Sequence, residues 1–184
     1  MTLPDRIEGL AIVSDDGMIA DASGIQPDAL KLEADQRYFR HTLDQAAALV
    51  HGKNSGEGGP DAARRTRLIL THQVKGLAPA PGVPRAMLWN PAGASLNEAW
   101  NALGLSGGLL AVIGGTGPFG EFLPRYDAFH LSRAEGVRLP GGVPVFPGIP
   151  PATPEDLLAS HGLEPAPMRA LDAAAGLVLT VWRR

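Results

Sequence analysis

Short apolar runs separated by turn chemistry dominate this chain. Leu109-Leu110-Ala111-Val112-Ile113 is unbroken, which predicts a strand buried on both faces. Ile7–Val13 (IEGLAIV), Ala47–Gly52 (AALVHG), Leu68–Leu70, Arg85–Trp89 (RAMLW), Tyr126–Arg133 (YDAFHLSR), Pro165–Leu171 and Leu177–Trp182 are further predicted strands. Ser14-Asp15-Asp16-Gly17 closes the first of them as a turn, and Met18-Ile19-Ala20 leads into a polar loop. Helical spacing replaces this pattern between about Asp28 and Leu49, where Leu32, Tyr38, Phe39, Leu43, Ala46 and Leu49 recur with charges between them. Ser95-Leu96-Asn97-Glu98 has capping-box spacing and opens a helix through Leu103, and a short helical turn is expected at Glu155–Ser160. Strands alternating with helices, then an antiparallel edge, predict an α/β fold: a mixed, mostly parallel central sheet with helices on both faces, in one domain over residues 1–184.

Composition narrows the function classes. The chain has 184 residues, 45% of them hydrophobic and 19% charged, enough for one full core and too few for two comfortable domains. A formal charge of −3 without long blocks of like charge gives no footprint for nucleic acid. There is no cysteine, hence no disulfide or thiolate site, and the five histidines form no H-x-x-x-H pair, so no metal is expected. No apolar run approaches the roughly 18 residues that span a bilayer, and the first residues lack a secretion-signal pattern, which predicts a cytoplasmic protein with no membrane partner. Glycine and proline cluster at Asn54–Pro60, Leu77–Pro84 and Leu139–Pro154, which read as long loops.

Candidate chemistry concentrates where the strand Leu109–Ile113 runs straight into Gly114-Gly115-Thr116-Gly117. Glycines admit positive φ and close approach of a ligand to the main chain, and the free N–H groups of a following helical turn attract an anion. The stretch reads as a phosphate seat with two candidate occupants. Gly115, Gly117 and Gly120 spell G-x-G-x-x-G after a strand, with Glu135 about 20 residues on, as in a dinucleotide fold whose acid holds a ribose. The second reading comes from the residues around the turn.

The stretch VIGGTGPFGEFLPRYDAFHLSR, with the ending LVLTVWRR, resembles the late part of dihydrofolate reductases, in which a Gly-Gly pair after a central strand meets the cofactor pyrophosphate. The opening SDDGMIADASG is similar both to the first strand and mobile loop of those enzymes and to the S-x-D-G-x-I-A opening of the riboflavin-biosynthesis reductase domain, which shares their fold. The run Glu33-Ala34-Asp35-Gln36-Arg37-Tyr38-Phe39-Arg40 looks like the reductase helix that carries a single acid four residues before a phenylalanine. The resemblance implies an NADPH-dependent reductase that passes hydride to a pteridine-like or pyrimidine heterocycle.

Residue by residue, the resemblance implies catalytic roles for Asp35, which orients and helps protonate the ring, and for Ser132, in place of a threonine that bonds acid and substrate. Read from the residues alone, Asp35 is an acid in the first turns of a helix, favoured there by the dipole. Ile12, Phe39 and Arg65 are implied on the substrate side, with Arg64 and Arg67 equally available in place of Arg65. On the cofactor side are implied Ala20, then Gly52, Lys53, Asn54 and Ser55, whose basic and short polar side chains at a strand end suit a 2′-phosphate. Thr71 and His72 are implied beside the adenosine phosphate, and Ile113, Gly114, Gly115, Thr116, Gly117, Pro118 and Phe119 along the pyrophosphate and nicotinamide.

Two stretches depart from the family pattern. Gly56-Glu57-Gly58-Gly59-Pro60-Asp61 stands where those enzymes have a short apolar helix bearing an aromatic, and it has no helix-forming character. The loop after Ala20 lacks a Pro-Trp pair. One wall of a folate site is therefore expected to be altered, which keeps two alternatives open: an aminouracil-riboside reductase of the riboflavin type, and a non-catalytic nucleotide binder. A monomer or homodimer is expected.

Overall fold

The computed structural model describes residues 2–56 and 58–184. In chain order its strands are β1 (Arg6–Val13), β2 (Met18–Ala20), β3 (Ala46–Gly52), β4 (Arg67–Leu70), β5 (Leu77–Pro79), β6 (Ala86–Trp89), β7 (Leu109–Gly114), β8 (Ala128–Ala134), β9 (Val143–Pro144), β10 (Glu164–Pro165), β11 (Arg169–Asp172) and β12 (Leu177–Arg183). The α-helices are α1 (Glu33–Leu43), α2 (Leu96–Ala102), α3 (Thr116–Glu121) and α4 (Pro154–Ser160).

β1 lies near the middle of the main sheet, parallel to β7 on one side and β8 on the other. Beyond β7 come β3, β4 and β6, all parallel, with β5 antiparallel at that edge. Beyond β8 the sheet turns antiparallel through β12, whose outer edge is shared by β10 and β11. This is the expected mixed sheet, with one addition, the antiparallel strand β5 at the far edge.

Alternation along the buried strands puts helices on both faces, as expected. Ile7 and Val13 of β1, Leu110 and Val112 of β7, and Phe129 and Leu131 of β8 enter one large core with Leu96, Ala99 and Trp100 of α2, Phe119 of α3 and Leu158 of α4. The opposite face carries Leu10 and Ala111 with Leu49 against Leu43 and Phe39 of α1, and Ile12 beside Leu30. Gly9 pairs with Phe129 in register, and a Cβ there would stand 2.3 Å from the phenylalanine ring, so the core demands glycine at the centre of β1.

Several boundaries differ from the sequence reading. The helical spacing over 28–49 resolves into a single 3-10 turn at Asp28–Leu30, the helix α1, and the start of β3 at Ala46, because Asp44 and Gln45 form a turn and Leu49 is a strand residue. Tyr126 precedes β8; it is fully buried and donates its hydroxyl to the Phe119 carbonyl at 3.2 Å. Arg85 takes φ 58° just before β6 and is not part of it. Two proposed loops contain short strands, Leu77–Pro79 in one and Val143–Pro144, paired with β2, in the other. The span read as one strand over Pro165–Leu171 is two, β10 and β11, on the same edge of β12. The glycine-rich segment after β3 forms turns and a 3-10 turn at Ala62–Arg64, without an apolar helix; Glu57, part of that expectation, lies outside the described residues.

Candidate active site

Because β1, β7 and β8 are parallel, their C-terminal ends open on the same edge of the sheet, and α1 crosses the face that carries Leu10, Ile12, His130 and Ser132. Between helix and sheet lies a cavity of about 570 Å³. α1 begins without a side-chain cap on Leu32, and Asp35 stands in its first turn, where the dipole favours a carboxylate. Burial works against that preference and raises the Asp35 carboxyl above the usual aspartate range, while a hydrogen bond with the Ser132 hydroxyl offsets part of the rise. Ser132 is itself buried, one turn of the pleat from His130 on the cavity side of β8.

A second polar rung runs beside the first. Tyr38, one helical turn after Asp35, places its hydroxyl 2.6 Å from His130 Nδ1, and His130 Nε2 lies 3.0 Å from Glu8 Oε2. The bond with His130 holds the Glu8 carboxyl below its ordinary range despite burial. An ionised carboxylate only accepts, so a proton sits on Nε2; in the neutral imidazole Nδ1 is then the acceptor and the Tyr38 hydroxyl its donor. Burial pushes the Tyr38 phenol up, so its proton stays on oxygen. Arg169 stacks on the Tyr38 ring with its guanidinium carbon 5.5 Å from the centroid.

At the other end of the cavity the loop after β3 meets the glycine turn after β7. Asn54, Ser55, Gly114 and Gly115 line this end. The glycines are required by the protein itself: a Cβ on Gly114 would stand 2.7 Å from the Ser55 Cβ, and Gly115, at φ 89°, has Ser55 Oγ and Pro118 Cδ each at 3.1 Å from such an atom. Gly117 has open space instead and lines a smaller hollow of about 340 Å³ with Leu70, His72, Pro91, Ala92 and Glu121. The turn is thus shared by two depressions, a shape that suits an extended ligand crossing the strand ends.

No family model matches the chain, and no curated protein matches it in sequence. Solved structures do. A riboflavin biosynthesis protein from Shewanella sp. PV-4 superposes with a TM-score of 0.67 at 19% identity, over 97% of this chain and 98% of that one. Dihydrofolate reductase from Enterococcus faecalis, complexed with NADP(H) and RAB-propyl, gives 0.66 at 17% identity over 100% and 99%. The fold is dihydrofolate-reductase-like. A diaminohydroxyphosphoribosylaminopyrimidine deaminase/5-amino-6-(5-phosphoribosylamino)uracil reductase from Thermotoga maritima gives 0.67 at 16% identity, with 98% of this chain spanning 56% of that one.

Within this dihydrofolate-reductase-like fold, the main cavity gathers Ile12, Ala20, Asp35, Phe39, Asn54, Ser55, Ile113, Gly114, Gly115, Phe119 and Ser132 out of the residues singled out from sequence. The others lie elsewhere. Arg65 is drawn to Asp44 after α1, 2.8 Å away, and does not line the cavity. Buried Arg67 donates to the Ala62 carbonyl and stands 3.3 Å from His51 Nε2, while Arg64 pairs with Asp61 at the surface. Gly52 ends β3, and exposed Lys53 reaches Gln73 at 3.3 Å. Thr71 is buried and its hydroxyl accepts from the Gln73 backbone N–H, and His72 joins Gly117 at the smaller hollow. Thr116 donates to the Pro144 carbonyl, and Pro118 is buried beneath the turn.

Gly56 and Gly58 line the cavity, and His51 fills the space beside Gly56, its Cε1 3.3 Å from where a Cβ would stand. Glu8, Tyr38 and His130 are the residues that sequence reasoning passed over. Their signals were faint: one acid in an otherwise apolar strand, one histidine between apolar neighbours, and a tyrosine absorbed into a helical stripe.

Proposed function

We propose that this chain is an NADPH-dependent reductase acting on a planar nitrogen heterocycle of the pteridine type. The observation that carries the reading is the Asp35 carboxyl, raised by burial, on one wall of a cavity whose other end is the β3 and β7 strand-end turn. A desolvated acid facing a cavity keeps its proton to higher pH than an exposed aspartate does and is suited to hand it to a ring nitrogen. When bound, the dihydronicotinamide supplies hydride to the adjacent ring carbon. The chain's own residues orient and protonate: Asp35 and Ser132 address the heterocycle, Phe39 and Ile12 pack on it, and Phe119 and Ala20 flank the nicotinamide end. Ser55, Gly114 and Gly115 border the diphosphate, with Gly117 and His72 beyond the turn.

The glycine-lined wall at Gly56 and Gly58 favours a second reading, an aminouracil riboside as substrate, whose sugar needs room that a folate-type wall closes. A screen of dihydrofolate, dihydropterins and aminouracil ribosides, followed at the reduced-nicotinamide absorbance, decides between them. Substrate-dependent loss of that band is the expected result. NADPH binding by fluorescence with no turnover on any of them leaves a nucleotide binder.

Lys53 tests the cofactor's phosphate. The Gln73 contact holds its ammonium near the end of β3, where a 2′-phosphate is proposed to sit. Lys53→Ala is expected to weaken NADPH about tenfold and NADH less than about twofold, because a charge-assisted bond to phosphate exists only in the first complex. Equal losses in a titration with both nucleotides make Lys53 a surface cation.

A further inference from the structure

We propose that Glu8, His130 and Tyr38 form a proton relay that enters the cavity beside Asp35 and makes Tyr38 a second acid of the site. This rests on the reductase reading and adds a residue to its chemistry. Three observations support it. The distances, 2.6 Å and 3.0 Å, are those of a continuous hydrogen-bonded chain. Tyr38 and His130 line the cavity together with Asp35 and Ser132, so the chain ends among the groups that face substrate. At the far end the Glu8 carboxylate, its side chain 13% exposed and Arg6 3.8 Å from its other oxygen, holds Nε2–H and can keep a protonated imidazole in place.

A structural brace between α1 and the sheet has no need of ionisable groups. Here the brace is built from a carboxylate, an imidazole and a phenol, in the order that orients an imidazole for proton transfer. Packed cations complete the surroundings, Arg169 over the phenol and Arg183 near Glu8 and Tyr38.

Before substrate binds, solvent in the open cavity protonates Nδ1, so that the imidazole carries a proton on each nitrogen, with Nε2–H held by the Glu8 carboxylate. Tyr38 oxygen then accepts from Nδ1–H, and its own hydroxyl turns into the cavity. As hydride reaches the substrate carbon, the Tyr38 proton passes to the substrate atom that has gained electron density. The Nδ1 proton moves to Tyr38 oxygen, and the imidazole returns to neutral. One proton has crossed from solvent to substrate, and no residue is oxidised or reduced.

The test has two arms on the NADPH-bound protein. In 15N imidazole spectra, with His130 assigned by its loss in His130→Gln, the parent is expected to carry its neutral proton on Nε2. Tyr38→Phe, which keeps the ring and the Arg169 stacking but not the hydroxyl's bonds to His130 and Arg169, is expected to shift Nδ1 as its donor disappears, and Glu8→Gln to populate the other tautomer. A parent proton on Nδ1, or an Nδ1 resonance indifferent to Tyr38→Phe, overturns the relay without any turnover being measured. With the substrate found by the nicotinamide screen, Tyr38→Phe is expected to lower kcat about tenfold or more and change the solvent deuterium isotope effect, with NADPH affinity unchanged. Parent kcat and isotope effect in Tyr38→Phe overturn the catalytic role. If no substrate oxidises NADPH, the reductase reading falls and the role of Tyr38 as its acid falls with it, whatever the spectra show of the hydrogen bonds.

Discussion

Replacing Asp35 with asparagine is expected to lower turnover at neutral pH by roughly 10²-fold or more while leaving NADPH affinity almost unchanged. Asparagine keeps the shape and a hydrogen-bonding oxygen for Ser132 but has no proton to give. The deficit should shrink as the assay is made acidic, or with a substrate protonated beforehand, since what is missing is proton supply. Stability gives an independent reading with opposite signs. An ordinary first-turn acid is stabilising through the helix dipole, so its loss costs a few tenths to about 1 kcal/mol. A carboxyl raised by burial binds its proton more tightly in the folded than in the unfolded chain, so the folded state loses stability as pH rises from the ordinary aspartate value toward the raised one. Asp35→Asn should therefore melt at or above the parent temperature at pH 7, with the gain vanishing below about pH 3.8. A folded variant that turns over at the parent rate removes Asp35 from the chemistry.

The second large effect is expected at the glycine turn. Gly115→Val should weaken NADPH by at least about 2 kcal/mol, tens of fold, and here it also injures the fold. A side chain at φ 89° is strained by about 1–3 kcal/mol before any contact is counted, and its Cβ meets Ser55 and Pro118 at 3.1 Å. A lowered melting temperature is thus expected with or without nucleotide. Gly117→Val separates the two causes, because the missing side chain there faces open space and the backbone needs no positive φ. A normal melting temperature with weakened NADPH places the diphosphate over this turn. Parent affinity in that variant moves the diphosphate elsewhere.

What was legible in the chain was local. The unbroken run ending in Gly114, the acid four residues before Phe39 and the capping box at Ser95 each depend on a few neighbouring residues, and the turn, the cavity acid and α2 stand where those signals place them. Boundaries blurred where two patterns overlap: Ala46 and Leu49 continue the helical stripe of α1 and also belong to the apolar run of β3, and only the turn at Asp44 and Gln45 separates the two elements. Arg65 was misplaced because three arginines stand within four positions, and the choice among them is made by Asp44, far off in sequence. The reason for Gly114 is likewise tertiary, since the space its side chain would need belongs to Ser55. Tyr38, His130 and Glu8 stayed hidden because their contacts depend on the register between β1 and β8, which no local pattern encodes.

That register also sets a clock. β1 takes its place only when β7 and β8 flank it, and Glu8 meets His130 across 122 residues of chain, Tyr38 across 92. At cellular elongation speeds β1 leaves the ribosome on the order of ten seconds before its partner strands. During that interval its apolar residues have no sheet to enter. Halting translation before about residue 134 should yield nascent chains that are readily digested and cannot retain nucleotide, and release of the next few dozen residues should make protection and binding appear together.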